Sequence, residues 1–177
     1  MDNYTLKVLA PADIQQSYPD TCAIKVQQII LEQNGISLTE EQLMQEAMEN
    51  GWYYPGSGTY VNDVGNLLEL HGLEVKRSVN ASVDDIADNL ANGNSVIVGV
   101  DSGELWHSGL EEELEDNICG QIADHALIVN GISVNSMTGE HEIMLTDPGT
   151  GDISRIYEIN TFLDAWNDSD NFILSIV

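Results

Sequence analysis

The order of helical and strand patterns along the chain constrains its fold more strongly than any other sequence feature. Between residues 22 and 93, apolar residues recur at helical spacing and predict four helices that begin near residues 22, 39, 61 and 82. Glycines mark the predicted helix ends, at Gly35, Gly51, Gly72 and Gly93. Runs rich in β-branched residues then predict strands at 95–100, 126–133, 142–147, 153–158 and 172–177, with a helix at 161–166. This segregation predicts an α+β fold, with a helical N-terminal half packed on an antiparallel β-sheet from the C-terminal half.

Polar residues at the predicted helix starts support these assignments. Asp20 or Thr21 can cap the helix that begins near Cys22, and Ser82 can cap the fourth helix. Residues 39–42 form a capping-box pattern. The 177 residues contain no internal repeat or linker, so we predict one domain over residues 1–177.

The charge balance is strongly acidic and restricts the classes of partner. Five Lys and Arg residues against 30 Asp and Glu residues give a formal net charge of −25. Such a surface disfavours nucleic acid and anionic membranes and favours non-acidic peptide or protein substrates. The acids are spread along the chain, as on a solvated surface, and the densest run, 111–116, is predicted to be a solvated loop.

The sequence lacks the patterns of membrane insertion and secretion. No apolar run approaches the roughly 20 residues that cross a bilayer. The N-terminus lacks a basic segment followed by an apolar stretch, so we expect a cytoplasmic protein, or one exported without an N-terminal signal.

Two cysteines, Cys22 and Cys119, need separate explanations, because a structural disulfide is not expected in a reducing compartment. Cys22 lies in the predicted first turn of a helix, where unpaired N–H groups favour the reactive thiolate. The alternative is a small buried side chain between helices, and position alone leaves both open. Cys119 lies in a predicted loop and is interpreted as an incidental thiol. The spacing of the cysteines and histidines excludes a zinc site, and no cofactor is expected.

Gln16 precedes Cys22 by six residues. Its amide could donate to the oxygen that becomes negative when a thiolate adds to a carbonyl, an interaction worth about 2.7–4 kcal/mol. Gln15 is the alternative donor, although the spacing favours Gln16. Without the cysteine, either glutamine would be interpreted as a solvent-exposed loop residue.

A histidine and an aspartate occur at the ends of predicted neighbouring strands. His125 begins an apolar strand and, with a pKa near 6.5 in the free side chain, is suited to exchange a proton with a thiol. Asp147 ends the next strand, where its carboxylate can orient the imidazole. Asp147 could instead be a turn residue or a ligand in a metal loop with Asp152, although a calcium loop needs more oxygen ligands. The remaining histidines, His71, His107 and His141, are assigned no role. Of these, His107 is the hardest to dismiss as a site residue, because it lies in the polar segment.

These motifs occur in an order that resembles a known family. The segments 20–23, 55–59, 124–131 and 147–149 are similar to the double-glycine-leader (bacteriocin-processing) peptidase-like family of bacterial papain-like cysteine peptidases, over about residues 15–166. The resemblance implies a papain-like fold, with Cys22 as nucleophile, His125 as general base, Asp147 as its orienting residue and Gln16 as oxyanion donor. It also implies hydrolysis of peptide bonds, often after a Gly-Gly pair.

Two other functions remain compatible with the sequence. A protein deamidase or transglutaminase would use the same thioester chemistry on a glutamine side chain. A catalytically silent papain-like module would bind peptide or protein without turnover, although the complete set of Cys, His, Asp and Gln favours an enzyme.

Overall fold

The computed structural model describes residues 4–5, 13–106 and 123–177, and the structural statements below concern these residues. The sequence predictions for the acidic run 111–116, His107 and Cys119 lie outside them. Six α-helices and a single 3₁₀ turn are described: α1 (Cys22–Gln33), α2 (Glu40–Asn50), the 3₁₀ turn (Val61–Asp63), α3 (Asn66–Leu70), α4 (Val83–Ala91), α5 (Ser102–Trp106) and α6 (Ile159–Asn167). The described strands are β1 (Tyr4–Thr5), β2 (Val75–Ser78), β3 (Ser95–Val100), β4 (His125–Val134), β5 (His141–Asp147), β6 (Asp152–Glu158) and β7 (Ile173–Ile176).

The described strands form an antiparallel sheet in the order β2-β7-β3-β4-β5-β6, and β1 pairs with β4. Ile97 and Ile128 face a core that includes α1, α2 and α3, whereas Val98 and Leu127 face a second core that includes α4 and α6. The predicted α+β class is confirmed, and helices cover both faces of the sheet. The central strands are therefore almost continuously apolar, because both of their faces are buried.

Most predicted elements are found within a few residues of their expected bounds. Both capping boxes form: the Thr39 hydroxyl accepts a hydrogen bond from the Gln42 amide, and Ser82 forms the same motif with Asp85. Thr21 is the residue that precedes α1, as predicted, but its side chain does not cap the helix. Its hydroxyl donates to Glu40 instead, at 2.6 Å.

The predicted third helix is wrong as a continuous element. The 3₁₀ turn ends at Asp63, and α3 begins only after Gly65, whose φ is +97°. Gly65 lies against the side chains of Leu174 and Arg77, so no larger residue fits there, and its amide donates to the Gln27 side chain. The chain must change direction at this glycine, which divides the apolar stripe between two short elements. The sequence also did not predict β2 and α5, which are too short to show a clear period.

The described helices include none that is long and apolar enough to cross a membrane.

Candidate active site

His125 and Asp147 meet because of the register of two adjacent strands. Thr146 of β5 pairs with Ile128 of β4, so Asp147 follows opposite Leu127. His125 lies two residues along β4 on the same face, which makes it a diagonal neighbour of Asp147. Their side chains form a hydrogen bond of 2.7 Å between His125 Nε2 and Asp147 Oδ1. Both side chains are almost completely buried.

Three further donors fix the Asp147 carboxylate. The backbone amides of Gly149 and Thr150 donate to Oδ1, at 2.8 and 3.3 Å. The indole N–H of Trp106 donates to Oδ2, at 3.0 Å. The carboxylate is thereby held in one orientation, and Nδ1 of the imidazole is the ring nitrogen that remains for Cys22.

Trp106 is a site residue that sequence reasoning missed. Besides its hydrogen bond to Asp147, its ring packs edge-on against the His125 ring, with the ring centroids 5.1 Å apart. It lies at the end of α5, a five-residue helix without a clear apolar period. A tryptophan in a polar stretch was the only sequence signal for it.

At Gly149 the Asp-Pro-Gly turn passes close to the site. A Cβ atom there would lie 3.1 Å from both His125 Cε1 and the Trp106 ring, and 3.2 Å from Asp147 Oδ1. A side chain at this position would require these neighbours to move by a few tenths of an ångström. Asp147 is the last residue of β5 and a turn follows it at residues 148–150, so the expected strand-end position and the alternative turn reading both describe the backbone here.

The environment of His125 favours its charged form. Burial alone lowers the pKa of the imidazole, but hydrogen bonds and charge interactions with Asp147 and Cys22 outweigh burial and raise the pKa from 6.5 to about 9. Burial raises the pKa of Asp147, yet the hydrogen bond and charge of His125, with the donors from Gly149 and Trp106, lower it overall from 3.8. At neutral pH these interactions therefore favour an imidazolium at His125, between the Asp147 carboxylate and the Cys22 side chain.

Cys22 is the first residue of α1 and is half-buried. Its Sγ lies 3.9 Å from the carbonyl oxygen of Asp124, next to His125. The first N–H groups of a helix have no partner within the helix, so the thiol lies at an electropositive helix end. The structure thus brings Cys22, His125 and Asp147 together, as the sequence pattern predicted.

Gln16 is attached to the Asp-Pro-Gly turn by its backbone, which donates to the Pro148 carbonyl at 2.8 Å. Its side-chain Nε2 donates to the Tyr18 carbonyl at 2.7 Å, which leaves one amide hydrogen for another acceptor. Gln15 is exposed, and its Nε2 lies 3.3 Å from the Gly149 carbonyl. Gln16, the half-buried one of the two, is therefore anchored beside Asp147.

A cavity of about 620 Å³ opens beside Cys22 and His125, within the size range of ligand sites. One wall is the loop 56–61, and Asp20 holds this loop by accepting hydrogen bonds from the Gly56 amide, at 2.6 Å, and the Tyr53 hydroxyl, at 2.9 Å. Four aspartates and no Lys or Arg occur among the described lining residues: Asp20, Asp124, Asp168 and Asp170.

Two other histidines lie outside this constellation. His71 Nε2 is 2.7 Å from a Glu46 carboxylate oxygen, and His141 is exposed at the start of β5. Among the described residues, no group of three or more His, Cys, Asp or Glu side chains could hold a metal ion.

Solved structures with the same fold include proteins described as peptidases or proteases. A putative C39-like peptidase from Bacillus anthracis matches with a TM-score of 0.71 at 13% identity, covering 99% of this chain and 98% of that one. A double glycine motif protease from an AMS/PCAT transporter, in complex with the leader peptide, matches with a TM-score of 0.62 at 12% identity, covering 99% of each chain. The peptidase domain of Streptococcus ComA, a bifunctional ABC transporter of a quorum-sensing pathway, matches with a TM-score of 0.63 at 14% identity, covering 93% and 96%. The chain therefore has a papain-like fold.

Sequence comparison identifies the family directly. No curated protein matches the sequence. The profile of the Peptidase_C39 like family matches residues 9–172, nearly the whole chain. The family and the fold support cysteine peptidase function in general, and the chain belongs to the Peptidase_C39 like family.

Proposed function

We propose that this protein is a cysteine peptidase in which Cys22 attacks the scissile carbonyl, His125 transfers protons, Asp147 orients the imidazole and Gln16 helps to hold the oxyanion. The observation that carries the proposal is the placement of His125 between Cys22 and a buried carboxylate, in the wall of a cavity. A solvated or purely structural histidine would not need this arrangement.

The first half of the reaction forms a thioester. With the thiol proton held by His125, the Cys22 sulfur adds to the carbonyl carbon and the carbonyl oxygen becomes negative. The backbone N–H of Cys22 and the second amide hydrogen of Gln16 are the donors proposed to hold this oxyanion. The His125 imidazolium, whose pKa is raised to about 9, gives its proton to the nitrogen of the leaving amine as the C–N bond breaks.

The second half hydrolyses the thioester. Neutral His125 accepts a proton from a water molecule, whose oxygen adds to the thioester carbonyl. The C–S bond then breaks, the acid product leaves and the Cys22–His125 pair is restored. Asp147 holds the ring orientation through both halves by its 2.7 Å hydrogen bond to Nε2.

The substrate is proposed to be a peptide segment without acidic side chains near the scissile bond. A structural neighbour was solved with a leader peptide bound, which supports a peptide ligand for a site of this shape. The four lining aspartates, together with the net charge of −25, favour neutral or basic peptides.

Peptide-library digestion tests the proposed reaction. Wild-type protein should cleave a subset of peptides, as detected by mass spectrometry. Cys22→Ala should abolish cleavage, whereas the matched thiol control Cys119→Ala should retain it. Cleavage by folded Cys22→Ala protein would contradict the proposal, and an amide-to-acid mass gain without chain scission would identify a deamidase instead.

The charge preference has its own test. Matched peptides that carry Lys or Glu beside the cleaved bond should differ in kcat/KM, with the Lys peptide favoured and its advantage decreasing as salt rises. Equal and salt-independent kcat/KM values would overturn the charge preference while leaving the reaction unaffected.

A further inference from the structure

A buried carboxylate lies beneath the segment that joins Gln16 to Cys22. Glu40, the first residue of α2, is almost completely buried. Ser17 donates to it twice, from the backbone amide at 3.1 Å and from the hydroxyl at 2.8 Å. The Thr21 hydroxyl donates to Oε1 at 2.6 Å, an oxygen that the Ser17 amide also reaches. The carboxylate thus contacts both ends of the segment 17–21.

A buried lysine compensates the charge of this carboxylate. Lys25 Nζ is 3.6 Å from Glu40 Oε2, and both side chains are about 95% buried. Lys25 belongs to the first turn of α1, three residues after Cys22. A buried ion pair of this kind contributes little net stability compared with apolar residues of similar volume, but it does constrain geometry.

The same segment holds the Gln16 amide. The Tyr18 carbonyl accepts the hydrogen bond from Gln16 Nε2 at 2.7 Å, and it also accepts one from the Thr21 amide at 3.4 Å. Ser17 and Thr21, the two residues tied to Glu40, flank this carbonyl in the sequence. Any shift of the segment relative to α2 would therefore move the Gln16 amide relative to the Cys22 sulfur.

We propose that Glu40 is a positioning residue: by clamping Ser17 and Thr21, it sets the separation between the Gln16 amide and the Cys22 thiol. The inference rests on the proposed function, because the distance matters only if both groups act on one carbonyl. Misplacement of a reacting group by about 1 Å can cost roughly 10²-fold in rate. The contacts of Glu40 do not include His125 or Asp147. The clamp therefore acts on oxyanion stabilisation and leaves the His125–Asp147 pair beside the thiol unchanged.

Two variants and two controls isolate this effect. Glu40→Gln weakens the clamp but leaves Lys25 facing a neutral amide in a buried site. Thr21→Val removes the hydroxyl that donates to Glu40 and lies 3.0 Å from the Tyr18 carbonyl, and it keeps the ion pair. It therefore decides the question if Glu40→Gln does not fold. Glu41→Gln makes the same chemical change at the next, exposed position, and Thr21→Ser restores the hydroxyl.

The measurements separate oxyanion binding from thiol reactivity. Both clamp variants should lose about 10–100-fold in kcat, with KM within about twofold. Affinity for a peptide aldehyde, which forms an oxyanion on Cys22, should decrease in parallel. The alkylation rate of Cys22 by iodoacetamide, a displacement without an oxyanion, should stay within about twofold. Glu41→Gln and Thr21→Ser should match wild type.

Three results would overturn the proposal. Folded Glu40→Gln or Thr21→Val protein with the kcat of Glu41→Gln would show that the clamp does not position the site. A parallel decrease in kcat and alkylation would assign the network to the thiol alone. Wild-type protein that cleaves no peptide would contradict the proposed function and this inference together, whereas active wild type with unchanged variants contradicts this inference alone.

Discussion

The two halves of the candidate site are built by different means. His125 and Asp147 lie on paired strands, are buried, and are fixed by sheet register and by donors from Trp106 and Gly149. The segment from Gln16 to Cys22 is an irregular, partly exposed loop. Its shape depends on side-chain carboxylates rather than on a backbone ladder. The strand half of the site, with His125 and Asp147, is thus held by sheet pairing and buried donors, whereas the loop half, from Gln16 to Cys22, depends on a few polar contacts.

The largest expected effect comes from the strand half. His125→Ala should lower kcat/KM by up to about 10⁴-fold, because it removes the proton donor and acceptor of both reaction steps. Steady-state kinetics on a cleaved peptide measures this loss. The control variant His71→Ala removes a histidine that pairs with Glu46 away from the cavity, and its kcat/KM should equal that of wild type. Equal losses in the two variants would contradict the assignment of His125.

The loop half should show the next largest effect. Gln16→Ala should lower kcat by about 10²–10³-fold, the range for loss of one oxyanion donor. Gln15→Ala is the matched control, since this exposed neighbour directs its amide to the Gly149 carbonyl of the turn. If Gln15→Ala were the damaging variant, the role of oxyanion donor would belong to Gln15 and not to Gln16.

A smaller effect should come from Trp106, which donates a hydrogen bond to Asp147 in the strand half. Trp106→Phe keeps a ring against His125 but removes the N–H that donates to Asp147 Oδ2. A hydrogen bond to a charged group contributes about 1.5–3 kcal/mol, so kcat/KM should decrease by about 10- to 150-fold. Trp52→Phe, in the other core, is the control. An unchanged kcat/KM would show that Gly149 and Thr150 suffice to orient the carboxylate.

The smallest effect concerns stability. The native state holds the His125 proton more tightly than the unfolded chain, because its pKa is raised from 6.5 to about 9. This contribution is fully present below pH 6.5 and is lost as the pH rises through about 9, so the free energy of unfolding should decrease across that window. Urea unfolding of wild type and of His125→Ala at a series of pH values measures this contribution to the free energy of unfolding. The difference in free energy between the two proteins should narrow with pH, and a constant difference would contradict the raised pKa.

The strand half could be predicted from the sequence because its signals are local and regular. The apolar run after His125 and the Asp-Pro-Gly turn after Asp147 fix the strand ends, and one hairpin brings them together. The signals for the helix starts at Thr39 and Ser82 are equally local, because each capping box spans only four residues.

The parts that sequence did not predict depend on contacts between distant residues. The Thr21 side chain turns away from its own helix because Glu40 accepts from it across 19 positions. Trp106 reaches Asp147 across 41 positions from a helix too short to be periodic. Gly65 interrupts the third helix because the direction change there is imposed by packing against β7 and β2. No local pattern encodes such contacts.

The central claim is that Cys22 is the nucleophile of this site. Labelling with an electrophilic mimic of a cleaved peptide, followed by proteolytic mapping, identifies the reacting thiol directly. We expect one adduct per chain, on Cys22, and a loss of peptide cleavage in proportion to labelling. Cys22 of the His125→Ala variant should be labelled much more slowly. An adduct on Cys119 that abolishes cleavage, or cleavage that survives complete labelling of Cys22, would contradict it.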